Sequence, residues 1–302
     1  MSLPVGLPAG LATRLLEAGL QPDRVEAVVS AALEEDLGGG VDVTSVAAIP
    51  SEQESTADFV ARVPGVVAGL PIVSTVLWVV TGGDVRVDER VADATRVAAG
   101  AVLLTATGAT RALLTAERTA LNLLGHLSGV ATLTRRWVDA VEGSGAAIRD
   151  TRKTTPGLRA LEKYAVRCGG GVNHRMSLSD AALIKDNHVL AAGGVAAAFT
   201  AVRAAFPDLP VEVECDTLDQ VKEAVEAGAD LVLLDNMSLD DMRAAVALVR
   251  GSGVKCRLEA SGGLTLGNAA AVAATGVDYL AVGALTHSAP VLDIGVDLRA
   301  AR

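Results

Sequence analysis

From residue 146 onward the sequence alternates short apolar runs with longer segments of helical periodicity. The alternation repeats roughly every twenty to thirty residues, which is typical of consecutive βα units. Because parallel strands need such crossover helices, the pattern predicts a parallel sheet covered by helices. The predicted strands are Ala146–Asp150, Ala182–Lys185, Val211–Glu214, Leu231–Asp235, Lys255–Glu259 and Tyr279–Val282, and the predicted helices are 194–205, 217–227, 239–250 and 265–275.

Polar side chains or glycines stand at the carboxyl end of nearly every predicted strand. In a parallel barrel these ends converge on one face, where ligands bind. An open doubly wound sheet also binds ligands at its strand ends. The barrel is favoured here because no GxGxxG motif follows the first strand and because so many strands end in polar groups. Six or seven strands instead of eight predict an incomplete α/β barrel.

Short strands dominate the sequence between residues 55 and 107. With their flanking helices they predict an α+β domain over 1–115, followed by the barrel over 116–287 and a tail, 288–302, that packs back on the first domain. The segment before residue 20 has no firm pattern and is expected to be disordered. The predicted elements are a helix over Pro22–Leu37 capped by Asp23, strands over Ser55–Val63, Val85–Val91 and Ala101–Thr107, a helix over Pro71–Val80, and two helices, Leu113–Leu127 and Val130–Val141, hinged at Ser128 and Gly129.

The composition excludes several classes of protein. A formal net charge of −10 over 302 residues argues against a surface for nucleic acid. Three widely spaced cysteines have neither the spacing of a zinc site nor an even count for disulfides, which predicts buried thiols in a reducing cytosol. The N-terminus lacks the pattern of a signal peptide, and the apolar stretch Val66–Val80 is too short to span a bilayer.

A basic window interrupts this acidic chain, with eight Lys and Arg residues and only three acidic residues between 149 and 185. A local reversal of charge focuses the electric field on a small anionic ligand. Arg159, Lys163 and Arg167 recur at helical spacing and are predicted to form a solvated helix face. The remaining cations lie at strand ends or in loops and predict an anion site; they are Arg152, Lys153, Arg175 and Lys185.

Two consecutive predicted strands end in carboxylates, Glu214 and Asp235, and Glu212 lies on the same strand face as Glu214. Carboxylates beside a basic pocket bind Mg²⁺ through water or accept hydrogen bonds from ribose hydroxyls. Alternatively, they pair with Lys153 or Lys185. Lys185 also follows three apolar residues, as a Schiff-base lysine would, although the neighbouring cations favour a role in binding a polyanion.

His174 stands between a glycine run and Arg175, where it is predicted to donate to a carboxylate. Arg118 lies on an apolar helix, so that its side chain reaches either solvent or a pocket of a neighbouring subunit. Two loops carry glycines before helices and could cradle phosphate, although such turns are common: Ser261-Gly262-Gly263 and Val282-Gly283-Ala284. Together these features predict a barrel that binds a phosphorylated sugar and a second, carboxylated molecule.

Eight blocks occur in order along nearly the whole chain: EEDLGGGVDVTS, ERTALNLLGHLSG, RDTRKTTPGLRALEKYAVRCGGGVNHR, LIKDNH, VEVEC, LLDN, ASGG and VGALTHS. Together they closely resemble the quinolinate phosphoribosyltransferase family, also called carboxylating nicotinate-nucleotide pyrophosphorylase. The resemblance implies a smaller N-terminal sandwich domain, an incomplete α/β barrel and a homodimer whose sites are completed by the partner. It also implies transfer of phosphoribose from phosphoribosyl pyrophosphate to quinolinate, with loss of carbon dioxide, on the route to NAD.

The same resemblance implies roles for individual residues. Arg118 would reach quinolinate from the partner subunit, and Arg152, His174 and Arg175 would surround its two carboxylates. Lys153 and Lys185 would lie between quinolinate and the pyrophosphate donor, and Glu214 and Asp235 near the ribose and Mg²⁺. The remaining residues implied to contact substrate are Thr151, Ser261, Gly262, Gly263, Val282, Gly283 and Ala284. Three alternatives stay open, namely a molybdate-transport-associated relative with another substrate, a Schiff-base aldolase and a non-catalytic sensor of a phosphorylated ligand.

Overall fold

Two separate sheets organise the chain in the computed structural model, which describes residues 6–300. One unit comprises 6–133, 155–170 and 288–300, and the other comprises 134–154 and 171–287. The first unit therefore extends beyond the boundary at 115 that the sequence suggested. In chain order the elements are α1 (Ala9–Glu17), α2 (Pro22–Leu37), α3 (Val43–Ala48), β1 (Glu54–Ala61), β2 (Gly65–Val66), α4 (Leu70–Thr81), β3 (Val85–Glu89), β4 (Arg96–Val97), β5 (Val102–Ala109), α5 (Thr110–Ala140), β6 (Ala147–Arg149), α6 (Arg159–Cys168), β7 (Ala182–Ile184), α7 (Asp186–Ala192), α8 (Val195–Ala205), β8 (Val211–Cys215), α9 (Leu218–Ala227), β9 (Leu231–Asp235), α10 (Leu239–Ser252), β10 (Arg257–Ser261), α11 (Ala269–Ala273), β11 (Tyr279–Ala281), α12 (Ala284–His287) and β12 (Ile294–Ala300).

The sheet of the first unit is antiparallel, with strand order β12-β1-β5-β3. The C-terminal strand β12 pairs with β1 from Ile294 opposite Ala61 onward. Six of the eight residues of β1 are buried, among them the neighbours Phe59 and Val60, so both faces of this strand are covered over most of its length. Helix α4 is apolar on nearly every side and is almost entirely buried. The core therefore consists of small aliphatic residues, as the low aromatic content predicts.

The N-terminal segment forms more structure than the sequence suggested. Residues 9–17 form helix α1, with Leu11 and Leu15 buried, so the expected disorder is wrong there, while residues 1–5 lie outside the described part. Helix α2 has the predicted bounds, but the predicted cap is wrong. Gln21 occupies the N-cap position without a side-chain bond, and Asp23 lies in the first turn, where its charge favours the helix N-terminus.

The predicted hinge at Ser128 and Gly129 is wrong, because α5 runs unbroken through both residues. The Ser128 hydroxyl accepts a hydrogen bond from the Ala68 N–H at 3.0 Å and donates one to the Ala68 carbonyl at 3.3 Å. A Cβ atom at Gly129 would lie 2.2 Å from the carbonyl oxygen of Pro290. The two small residues are therefore explained by close backbone approach and not by a break in the helix.

We expect Gly129→Ala to lower the free energy of unfolding by about 2–4 kcal/mol, because the added methyl overlaps backbone that cannot move freely. Urea denaturation at constant protein concentration would measure the loss. Gly251→Ala in helix α10 is the matched control, because a Cβ there meets nothing within 4 Å and its φ is not positive. A Gly129→Ala protein as stable as the parent would contradict the packing argument.

The basic face predicted for α6 is only partly observed. Arg167 is exposed, but Lys163 is fully buried, so the prediction of a solvated Lys163 is wrong. Its neighbour Glu162 is buried too and accepts hydrogen bonds from His126 Nε2 at 2.9 Å and the Thr155 N–H at 3.0 Å. Helical spacing places a residue on a face, but it does not show which elements cover that face.

The second unit contains the predicted parallel sheet, with order β6-β11-β10-β9-β8-β7. All six predicted strands are confirmed, with ends shifted by at most two residues. Strands β6 and β7 lie at the two edges, so six strands form an open sheet, as the prediction of an incomplete barrel requires. The carboxyl ends of its strands all lie at the same end of the sheet, and they carry Lys185, Glu214, Asp235 and Ser261.

None of the described helices alone has the length and apolar composition of a membrane span. The pair α7 and α8, bent by 90° at its junction, reaches that length and composition only when both helices are counted together. The three cysteines are free; Cys215 and Cys256 are buried and Cys168 is half-buried.

Candidate active site

A cavity of about 520 Å³ opens at the carboxyl ends of the strands in the second unit. Ten of the predicted site residues line it, which are Thr151, Arg152, Lys153, His174, Arg175, Lys185, Glu214, Asp235, Ser261 and Gly262. They come from the carboxyl ends of five strands, β6 to β10, and from the loop that follows α6, so the sheet brings together residues far apart in sequence. Arg118 belongs to the first unit, and Gly263, Val282, Gly283 and Ala284 are not among the lining residues.

An ion pair between Lys185 and Glu214 joins the ends of neighbouring strands β7 and β8. The pair gives the Lys185 Nζ a carboxylate as its counter-ion, an arrangement that suits an electrostatic role better than the nucleophilic role of a Schiff-base lysine. Next along the sheet, Asp235 accepts a hydrogen bond from the Asn236 Nδ2 at 2.7 Å. Two carboxylates and a lysine therefore line one side of the cavity.

Gly262 is required by the backbone at this edge. Its φ is +84°, and a Cβ there would lie 2.2 Å from Oδ1 of Asn236. Asn236 itself has φ of +53°, a left-handed conformation that asparagine tolerates better than most residues. Its N–H donates to the Ser261 carbonyl at 2.9 Å. Asn236 and Gly262 thus fix the turn that presents Asp235 and Ser261 to the cavity.

The second predicted glycine loop contacts the site through Lys153. A Cβ at Gly283 would lie 3.0 Å from Cδ of Lys153. The Thr286 hydroxyl, one turn later, donates to the Lys153 carbonyl at 2.7 Å. The loop at 282–284 therefore packs against Lys153. Lys153 lines the cavity, whereas the loop does not.

Asp150 holds the loop that carries His174 and Arg175. Its buried carboxylate accepts the His174 N–H at 2.8 Å and the Asn173 Nδ2 at 2.6 Å. His174 Nε2 lies 2.7 Å from Oε2 of Glu212, so the predicted contact between His174 and a carboxylate is observed. Glu212 is nearly fully buried. It therefore orients His174 from beneath and does not line the cavity, contrary to the possibility that it faces the basic pocket.

Two carboxyl groups are buried at the floor of the cavity: Glu259 lines it, and Glu212 lies beneath it. Burial is the main cause that raises the pKa of each to about 7; Glu214 adds to the shift of Glu212, Glu212 adds to that of Glu259, and Arg149 opposes both. Arg149 Nη1 lies 2.6 Å from Oε2 of Glu259. Ligand atoms of His174, Glu212 and Glu259 lie within 4.8 Å of one another, as in a metal site. The set does not suit a metal ion, because the histidine is already bonded to Glu212 and Glu259 is neutralised by arginine.

The raised pKa of Glu259 predicts a pH-dependent contribution to stability. A carboxyl with a folded-state pKa of about 7 binds more protons in the folded than in the unfolded state between pH 4.5 and 7. Stability attributable to it is therefore present at low pH and lost as the pH rises through about 7. Relative to Glu259→Gln, we expect the wild type to lose up to about 3 kcal/mol between pH 5 and 7.5.

Denaturation of both proteins at several pH values would measure this difference. Glu226→Gln on the exposed side of α9 serves as the matched control, since it removes the same charge without burial. Parallel stability curves for the wild type and Glu259→Gln would contradict the raised pKa.

Arg152 and Arg175 are the cations best suited to a carboxylate ligand. The Nε atoms of both are buried and have no hydrogen-bond partner. Burial and the neighbouring Arg152 lower the pKa of Arg175, which shows that its charge is poorly compensated in the protein alone. Planar guanidinium groups donate in pairs to carboxylates. The two arginines therefore offer unsatisfied donors to an anionic ligand.

Five further residues line the cavity without having been predicted as site residues: Leu183, Leu233, Asn236, Glu259 and Ala281. The alternation of side chains along a strand would have predicted most of these positions from the sequence. Leu233 precedes Asp235 by two residues, and Glu259 precedes Ser261 by two, so each pair faces the same side. Leu183 and Ala281 supply apolar walls against which a planar ring could pack.

Comparison with known proteins agrees with this geometry. The models of the N-terminal and C-terminal domains of quinolinate phosphoribosyl transferase match residues 42–128 and 130–297. The nicotinate-nucleotide pyrophosphorylase [carboxylating] of Mycobacterium leprae is 54% identical over 277 residues, covering 91% of this chain and 98% of the relative. The crystal structure of NadC from Streptococcus pyogenes is 38% identical and covers 94% of this chain and 99% of that chain, with a TM-score of 0.89.

The nicotinate-nucleotide pyrophosphorylase structure from Francisella tularensis is similar to the same extent, at 39% identity and a TM-score of 0.87, covering 92% of this chain and 96% of that one. The two domain models thus match consecutive parts of the chain, and the relatives match it over nearly their whole length. The chain belongs to the quinolinate phosphoribosyltransferase family.

Proposed function

We propose that the chain transfers phosphoribose from phosphoribosyl pyrophosphate to the ring nitrogen of quinolinate, releasing pyrophosphate and carbon dioxide and forming nicotinate mononucleotide for NAD synthesis. The observation that carries the proposal is the pairing of two arginines with unpartnered buried Nε atoms and two lysines in one cavity. A single phosphate group would need fewer than these four cations. A dicarboxylate and a pyrophosphate together account for all four.

Arg152, His174 and Arg175 bind the two carboxylates of quinolinate in this proposal. Fixing both carboxylates orients the ring nitrogen towards the sugar, which converts an encounter of two substrates into a reaction within one complex. The apolar walls at Leu183 and Ala281 accept the ring faces. Nicotinate lacks one of the two carboxylates and would leave an arginine without a partner, which explains discrimination against it.

Lys153 and Lys185 stabilise the negative charge that develops on pyrophosphate as it leaves. The ribose carbon becomes cationic at that moment, and the Glu214 and Asp235 carboxylates stabilise it electrostatically. After the ring nitrogen is alkylated, its positive charge stabilises the carbanion that remains when carbon dioxide leaves, and that carbon then takes up a proton from water. The chemistry therefore needs no covalent enzyme intermediate.

Glu214 and Asp235 would hold Mg²⁺ through water in this proposal. Carboxylate oxygens at neighbouring strand ends, beside a site for pyrophosphate, are the donor set that Mg²⁺ prefers. The ion would neutralise charge on the pyrophosphate group. Lys185, which is paired with Glu214, would add a second positive charge on the same side of the cavity.

The test is to incubate the protein with quinolinate, phosphoribosyl pyrophosphate and Mg²⁺, and to measure carbon dioxide and nicotinate mononucleotide. Nicotinate serves as a parallel substrate, and a chelator arm removes the metal. Turnover of quinolinate but not nicotinate, lost with the chelator, is expected. A folded protein that turns over neither substrate would refute the activity and favour the molybdate-transport-associated relative or a ligand sensor.

A cytoplasmic homodimer in which Arg118 completes the partner's site is also part of the proposal. Arg118 is exposed on α5 and has no hydrogen-bond or ion-pair partner within residues 6–300. An exposed arginine that has no partner in its own chain is suited to contact a ligand bound in another subunit. Light scattering should therefore give twice the mass of one chain.

Mixing two inactive variants tests the shared site directly. Arg118→Ala and Lys185→Ala homodimers should each be nearly inactive, because every site lacks one cation. After subunit exchange, half of the sites in each mixed dimer carry no substitution, so we expect about a quarter of wild-type activity. An inactive mixture, with exchange shown by labelled subunits, would place Arg118 in its own subunit's site.

A further inference from the structure

A second cavity, of about 560 Å³, opens at the amino ends of strands β9, β10 and β11. The first residue of each strand lines it, namely Leu231, Arg257 and Tyr279. Alternate residues of a strand face the same side, so Arg257 faces the side of Glu259 and Ser261. The latter two line the candidate active site. The two cavities therefore lie at opposite ends of the same inward-facing rows of side chains.

The second cavity is basic, although the chain as a whole is acidic. It is lined by four cations and one carboxylate, which are Arg149, Arg250, Lys255, Arg257 and Asp230. Asp278 accepts two hydrogen bonds from Arg250 at 2.9 Å, and Arg203 lies 2.6 Å from Asp230, so these charges are compensated.

Lys255 and Arg257 have no acidic partner among residues 6–300. Arg257 donates to the hydroxyl of Tyr279, whose own proton is then available to an acceptor in the cavity. Two uncompensated cations and a hydroxyl donor in one concave space favour an anion more than a solvated surface would.

Arg149 links this cavity to the active site. Its side chain lines the second cavity, with the guanidinium carbon 4.8 Å from the centre of the Tyr279 ring. Its Nη1 lies 2.6 Å from Oε2 of Glu259, which lines the active-site cavity. The side chains of the pair are 17% and 1% exposed, so this ion pair separates the two cavities.

We propose that the second cavity is an anion site that binds a phosphate group, free or as a phosphomonoester, through Lys255, Arg257 and the Tyr279 hydroxyl, and that it is coupled to the active site through Arg149. A bound phosphate attracts the Arg149 guanidinium away from Glu259. The positive charge that Arg149 contributes next to the cavity for anionic substrates is then lost. Occupancy therefore weakens substrate binding; this coupling rests on the activity proposed above, whereas the site itself does not.

Equilibrium binding of inorganic phosphate tests the site without turnover. A Lys153→Ala/Lys185→Ala background weakens phosphate binding in the active site, and one phosphate per chain should still bind. Adding Lys255→Ala and Arg257→Ala should reduce that affinity about tenfold or more. Lys222→Ala and Arg243→Ala, which remove two exposed cations from α9 and α10, should leave it unchanged. Equal affinities in the two quadruple variants would overturn the proposal.

Ribose 5-phosphate in a second arm identifies the source of the phosphate. Binding of both ligands, each lost with Lys255 and Arg257, supports a site for phosphomonoesters, and binding of phosphate alone supports a site for the free ion. Binding of neither overturns the proposal. Thermal unfolding of each variant shows that the exposed substitutions leave the fold intact.

Kinetics then test the coupling in the active enzyme. Phosphate in the second cavity should raise the KM for quinolinate to a plateau, because both cavities can be occupied at once. Lys255→Ala/Arg257→Ala should lose the plateau and retain only competition at the active site. Identical inhibition curves for this variant and the wild type would refute the coupling, and a protein without turnover would leave the binding test valid.

Discussion

Replacement of Arg175 with alanine is expected to lower kcat/KM for quinolinate about 10²–10³-fold, equivalent to about 3–4 kcal/mol of binding free energy. The Arg175 Nη1 donates to the Ala181 carbonyl at 2.7 Å, which fixes the guanidinium, while its buried Nε has no partner. A fixed donor without a partner loses little conformational entropy when a carboxylate binds. The loss should therefore appear in the affinity for quinolinate, measured by calorimetry.

The same substitution should not destabilise the protein without ligand. Burial and Arg152 lower the pKa of Arg175, so its charge is unfavourable until an anion arrives. We expect the melting temperature to stay constant or rise. Arg175→Lys keeps the charge but loses the planar pair of donors, so it should recover only part of the affinity. Unchanged quinolinate affinity in Arg175→Ala would contradict the assignment.

Arg243→Ala is the matched control for this experiment. Arg243 is an exposed arginine on α10 paired with Asp240 at 2.6 Å. Its removal deletes one positive charge from the same unit but no donor of the cavity. Exposed ion pairs contribute little, so both stability and quinolinate affinity should be nearly unchanged.

The parallel sheet was predictable from sequence because its strands are buried on both faces and read as short continuous apolar runs. Leu231–Asp235 is an example whose predicted bounds are those of the structure. The polar ends of such strands converge by geometry alone, so Lys185, Glu214 and Asp235 could be placed in one site. The contact between Lys185 and Glu214 follows from adjacency of β7 and β8, which the pattern does not specify.

Features set by packing between distant segments were not predictable in the same way. Gly129 has the appearance of a helix break, yet its lack of a side chain accommodates the Pro290 carbonyl. Lys163 has the spacing of a solvated face, yet it is fully buried. Single-residue patterns describe the local chain, whereas both of these positions are determined by residues from elsewhere in the fold.

The buried layer under the cavity illustrates the same limit at the functional site. Glu212 and Glu259 stand inside apolar strands, which suggests inward-facing polar groups, but the sequence does not assign their partners. The structure pairs Glu212 with His174 and Glu259 with Arg149. These contacts join residues 38 and 110 positions apart in the chain. Their consequence, a pair of carboxyls with raised pKa values, depends on burial that only the fold defines.

Lys185→Ala is expected to lower kcat about 10³-fold while changing the KM for quinolinate much less. Lys185 lines the cavity beside Glu214, and its charge is needed most when pyrophosphate leaves. A group that acts on charge developing in the transition state affects kcat more than substrate binding. Steady-state kinetics with each substrate varied in turn would separate the two effects, and Lys222→Ala on the exposed face of α9 is the control.

Lys185→Arg distinguishes an electrostatic role from a covalent one. Arginine keeps the positive charge beside Glu214 but cannot form a Schiff base with a carbonyl. If Lys185 stabilises leaving pyrophosphate, the arginine variant should retain far more activity than the alanine variant. If Lys185 forms an imine, both variants should be equally inactive, and borohydride should trap substrate on the wild-type protein alone. Because the Lys185 Nζ is engaged by the Glu214 carboxylate beside the other cations of the cavity, we expect the first result.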